Sequence, residues 1–128
     1  MATVSWEETE QGVESIEDLE KLLDKLHAEA ARGAPIMASV ALQPSGDSLT
    51  IGLGLDVSVL NFVSGSGDPP YFTSRAGAEP DGVVCFRFMG DLSEFPMRQA
   101  VPMAAARRAV RYFWTTGVRD PEMMWEEV

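Results

Sequence analysis

The clearest periodicity along the chain is helical. Ile16, Leu19, Leu22, Leu23 and Leu26 recur at spacings of three, three, one and three, which gathers them on one face of an α-helix. Ser15 stands where an N-cap hydroxyl can accept from a free N–H of the first turn, with Asp18 at the capping-box position. Glu17, Asp18 and Glu20 fall in the first turn, where the helix dipole favours acids. Gly33 suits the residue after the last turn, and Pro35 prevents the helix from resuming. The pattern predicts an amphipathic helix over residues 16–32.

Strand-like patterns follow. Ile36 to Leu42 is short and apolar, and Pro44-Ser45-Gly46-Asp47 is turn chemistry. Leu49, Ile51, Leu53 and Leu55 alternate with Thr50, Gly52 and Gly54, a period-two strand with one apolar face. Val57 to Val63, Tyr71 to Ser74 and Val83 to Phe88 are further strands. Loops are expected over 64–70 and 75–82, and an irregular connector around Phe95 and Pro96. Arg98 to Val101 reads as a short edge strand, and Met123 to Val128 as a closing one. Between them, Met103, Ala106, Val110, Phe113 and Trp114 form a second helical stripe, with Pro102 suited to the first helical position and Gly117 ending it.

This order of elements favours an α+β fold. Short connections between consecutive strands require antiparallel pairing. The expected architecture is an antiparallel β-meander sheet of about five to six strands with two helices packed on one face. Residues 1–14 lack helical periodicity and read as an extended lead-in, with Val4 and Trp6 allowing a short strand. Residues 15–128 read as one domain, a length that a single core serves.

Composition narrows the function. Twenty acids against ten Lys and Arg give a net charge of −10. Such a chain repels phosphate, which argues against direct binding of nucleic acid. One Cys and one His exclude an intrachain disulfide, a thiolate zinc site and a two-histidine metal site. Met1 to Glu10 carry no basic and apolar run of the secretory kind, and no window approaches a membrane span, so a cytoplasmic location is expected. The charge is uneven. Residues 1–31 sum to −7 and residues 119–128 to −3, while the middle sums to zero. If the two ends meet in space, they form one acidic surface.

Few residues stand out as chemistry. His27 lies at the edge of the first stripe without a marked Ser or Cys nucleophile, which favours a structural role. Cys85, between Val84 and Phe86, reads as a buried, inert thiol. Gly52-Leu53-Gly54 begins like a dinucleotide fingerprint, but Val57 replaces the third glycine and no helix follows. Glycines that admit a close neighbour in a strand are the better reading. The Ser64–Asp68 loop lacks the Lys-Ser/Thr of a phosphate loop. Arg107, Arg108 and Arg111 read as a solvated helix face, and the many acids as a solvated surface without metal.

The C-terminal segment adds a likeness. Ala104-Ala-Ala-Arg-Arg-Ala-Val-Arg-Tyr-Phe113, Thr116-Gly117, Pro121 and Trp125-Glu-Glu-Val128 resemble the close of an immunity-protein family from bacterial polymorphic toxin systems. Leu49-Thr50-Ile51-Gly52-Leu53-Gly54 is similar to that family's glycine-marked strand, and Tyr71-Phe72-Thr73-Ser74 to its Tyr-x-x-Ser strand. The likeness covers roughly residues 16–128, with one departure: Asp120 intervenes between Arg119 and Pro121. The resemblance implies a partner of secreted toxins, often nucleic-acid deaminases or nucleases, that inhibits 1:1 by binding, without catalysis or cofactor. It carries no contact residue over by motif.

On the charge pattern, the expected contact surface combines acids of the chain ends with an aromatic anchor: Trp6, Glu7, Glu8, Glu122, Trp125, Glu126 and Glu127. The alternatives are a generic acidic interaction domain and a small enzyme using His27 or a carboxylate pair.

Overall fold

In the computed structural model, which describes residues 1–78 and 80–128, the chain opens with a β-hairpin. The extended lead-in forms β1 (Ala2–Trp6) and β2 (Thr9–Val13), joined by the turn at Glu7 and Glu8. Ala2 and Val4 are fully buried, because β1 lies between β2 and β3 (Ile36–Leu42) in the sheet. The first helix, α1, spans Ile16–Arg32, and the Ser15 hydroxyl accepts from the Asp18 N–H at 3.1 Å. Leu19, Leu22, Leu23 and Leu26 are buried, as the stripe requires.

The meander continues through β4 (Ser48–Leu53), paired antiparallel to β3. The stretch 57–63, expected as one strand, is two: β5 (Val57–Ser58) and β6 (Leu60–Val63). The buried Ser58 hydroxyl donates to the Gly52 carbonyl at 2.8 Å and accepts from the Gly52 N–H at 3.0 Å. That side-chain bridge takes up backbone groups of β4 and breaks the strand. β7 (Phe72–Arg75) pairs with β6. Of the loop expected over 75–82, Glu79 lies outside the described residues.

β8 (Val83–Phe88) turns back through Met89 and Gly90, both at positive φ, into β9 (Asp91–Pro96). The connector expected around Phe95 and Pro96 is therefore a strand. Its alternation is masked because Leu92, 70% exposed, points outward while Phe95 packs inward. The edge strand expected at Arg98–Val101 is a 3-10 turn (Met97–Gln99) followed by β10 (Val101–Pro102), which pairs with β5. The second helix, α2, runs Met103–Thr116 and closes on Gly117 at φ 78. β11 (Met124–Glu127) pairs with β7.

Among the described residues, the main sheet has nine strands rather than five or six, in the path β11-β7-β6-β4-β3-β1-β2, with β8 joined to β3 and β9 to β8. The class is α+β. Both helices pack on one sheet face, where Leu19, Leu23, Val40, Ile51, Leu60, Ala109 and Phe113 form the main core. On the other face the β8–β9 hairpin covers Met37 and Val59 with Val84 and Phe86. Gly52 makes this possible: a Cβ there would lie 2.6 Å from the Phe86 ring.

The topology separates the terminal strands. β1–β2 forms one edge of the sheet and β11 the opposite edge, so the acids of these strands do not meet, whereas Glu20 and Asp24 of α1 and Asp120 before β11 are all paired with arginines of α2. No helix among the described residues is long and apolar enough to cross a membrane.

Candidate functional site

The two terminal groups of acids are built differently. At the first edge, Trp6 pairs across the hairpin with Thr9, leaving Glu7 and Glu8 at the tip. Trp6 is half-buried against the main core. Glu7 is half-buried in the left-handed region at φ 47, where a non-glycine residue is strained. Its Oε1 is buried with no hydrogen-bond partner among the described residues. Glu8 and Glu10 are exposed.

At the opposite edge the residues are tied inward. The Trp125 indole N–H donates to the Asp120 carbonyl at 3.0 Å, and its ring packs on the core. Glu126 accepts from Gln99 Nε2 at 2.7 Å and from Arg75 Nη1 at 3.1 Å, with Arg98 Nε at 3.6 Å. The Gln99 hydrogen bond, then the two arginine charges, hold its carboxyl below the ordinary glutamate range despite the opposing effect of burial. Glu122 and Glu127 are exposed. Beside them, a cavity of about 400 Å³ is lined by Phe62, Arg119, Asp120 and Trp125. The Arg119 guanidinium sits among the rings of Phe62, Phe72 and Trp125.

Of the α2 arginines expected on a solvated face, Arg108 and Arg111 are exposed, though both are ion-paired, and Arg107 is not. Arg107 pairs with Glu20 at 3.1 Å and Asp24 at 3.0 Å, its side chain only 14% exposed. Arg111 also reaches Glu20, and Arg108 pairs with the buried Asp120 at 3.2 Å. They therefore stand between α1 and the loop before β11 and tie the acids of both to α2. Arg75, Gln99 and Arg119 had no signal in the sequence. Arg75 lies 51 residues from Glu126, beyond any local spacing rule.

His27 and Cys85 are the remaining residues that the sequence singled out. His27 Nδ1 accepts from the Gly54 N–H at 2.9 Å, which occupies that nitrogen and joins α1 to the end of β4. Cys85 is half-buried rather than buried, because it points to the outer face of β8, opposite Glu94. Among the described residues, no group of three or more His, Cys, Asp or Glu is placed to hold a metal.

The profile of the family described as Immunity protein Imm1 matches residues 7–127, nearly the whole chain. No curated protein matches it.

Proposed function

Since the chain belongs to the Imm1 immunity protein family, we propose that it binds a cognate toxin and neutralises it by occlusion, without catalysis. The family match carries this reading. In it, the complex is 1:1 and forms in the cytoplasm of the producing cell. The net charge of −10 suits a basic partner, and enzymes that act on nucleic acid carry basic grooves. The exposed acids Glu8, Glu122 and Glu127, with Glu7 at one edge and Glu126 at the other, supply the field that attracts it, and Trp6 and Trp125 are the apolar contacts of those edges. Glu126 acts through its field alone, since its oxygens are engaged internally.

The reading expects the gene just upstream to encode a large protein with a toxin domain at its C-terminus, and the test is co-expression with that domain. Cells carrying both are expected to survive, and the two proteins to co-elute as one complex. Death of the co-expressing cells, with no complex formed, would overturn the proposal.

A further inference from the structure

The sheet face opposite the helices is only partly covered. Pairing registers place Ser39, Thr50, Asn61, Thr73 and Glu126 in one polar row across it. The β8–β9 hairpin stands over this row. Its inward face carries Phe88, Ser93 and Phe95, while Arg87 and Leu92 point outward. Between hairpin and sheet lies a groove of about 290 Å³, with Thr50, Asn61 and Thr73 on its floor.

The lining defines the occupant. No ionised side chain lines the groove among the described residues, in a chain that carries thirty acids and bases. Apart from Val128, the last residue, whose main chain also borders the groove, no lining residue offers a charge, so the groove favours a neutral side chain. The aromatic wall offers Phe88 and Phe95 to an apolar side chain. On the floor, the Thr73 hydroxyl donates to Asn61 Oδ1 at 2.9 Å. This fixes the amide so that its N–H groups, which have no acceptor among the described residues, are left to donate. The matching group is a carbonyl. Asp91, exposed and paired with Phe88 at the hairpin tip, puts a negative charge at the mouth.

We propose that this groove is the anchor site for the toxin: a loop of the basic partner inserts one uncharged apolar side chain between Phe88, Phe95 and the sheet. A backbone carbonyl of that loop accepts from Asn61, and a neighbouring basic residue meets Asp91. The volume suits a single aromatic or long aliphatic side chain. The proposal rests on the immunity reading and names its site. The acidic edges attract the partner, and the neutral groove holds it.

The test uses the full chain and the toxin domain expected from the neighbouring upstream gene, with affinity measured by calorimetry. Ser93→Trp fills the groove from an edge strand and is expected to weaken binding about 30-fold. Asn61→Asp keeps the shape and the Thr73 contact but replaces the donor by an acceptor, with an expected loss of about tenfold. Ala104→Gln, on the exposed side of α2, is expected to bind as the parent does. Thermal melts of each variant separate lost binding from lost folding. If the parent binds tightly and Asn61→Asp, folded, binds equally well, the groove is not the anchor and the immunity reading stands. If the parent itself does not bind, the immunity reading fails and the groove proposal with it.

Discussion

The guanidinium carbon of Arg119 lies 3.6 Å from the centroid of the Phe72 ring, and 5.8 Å from those of Phe62 and Trp125. A cation from the loop after α2 is thus held against rings of β6, β7 and β11. The contact clamps that loop to the sheet edge. Arg119→Met keeps most of the aliphatic stem and removes the charge. The expected loss is about 1 kcal/mol, a melting temperature lower by about 2–4 °C. An unchanged melt would show that the stem alone supplies the packing.

Gly52 faces Phe86 too closely for any side chain. Gly52→Ala must push the buried ring, and is expected to cost about 1–3 kcal/mol in denaturant unfolding. Phe86→Leu removes the obstructing edge. The double variant should therefore be more stable than the sum of the single effects predicts. Strict additivity would mean that the ring is not what resists the methyl.

Glu126 links stability to pH. Its carboxyl is held low by Gln99, Arg98 and Arg75, so the folded state keeps the charge to lower pH than the unfolded chain does. The stabilisation is complete above the ordinary glutamate range. It is lost as pH falls through the lowered titration of the folded state. Glu126→Gln should cost about 1 kcal/mol near neutrality and nothing once the carboxyl is protonated. Parallel urea melts from neutral to acid pH check this. A difference that persists in acid would assign the cost to packing.

Removing the His27 ring leaves the Gly54 N–H without its acceptor. His27→Ala should lower stability by about 1–2 kcal/mol. Protection from the toxin should persist wherever the variant is folded, because the imidazole's contact is with the Gly54 backbone. Loss of protection at unchanged stability would reopen a direct role.

Charge should show in the rate of association. Between roughly 20 mM and 500 mM salt, the on-rate for the toxin is expected to fall by about tenfold or more, with a much smaller change in the off-rate. Stopped-flow fluorescence would measure it. A flat response would remove electrostatic attraction from the account.

What the sequence made legible was local. The α1 stripe with its Ser15 cap, and the α2 stripe with its Gly117 stop, are each spelled within one helix length, and they fold as spelled. The β3–β4–β6–β7 meander also follows from short-range pattern and turns. The rest depended on distance. β1 is recognisable as an internal strand only once β3, some forty residues later, pairs with it through Ala2↔Leu42. β9 exposes Leu92 and turns Phe95 inward, so its alternation runs against the usual sign. The site was harder still. Composition marked the acids but not which of them have internal partners, and a groove between a hairpin and a sheet has no sequence spacing of its own.

The opposite-edge placement of β2 and β11 sets a limit on the footprint of any single partner. Six interstrand gaps of about 4.8 Å put these strands roughly 29 Å apart along the sheet. An ordinary contact of about 800 Å² per partner is a disc roughly 32 Å across. A toxin centred on the sheet would therefore meet the acids of both edge strands only at its perimeter. Charges at a perimeter stay hydrated, and they govern how often two proteins meet more than how long they stay together.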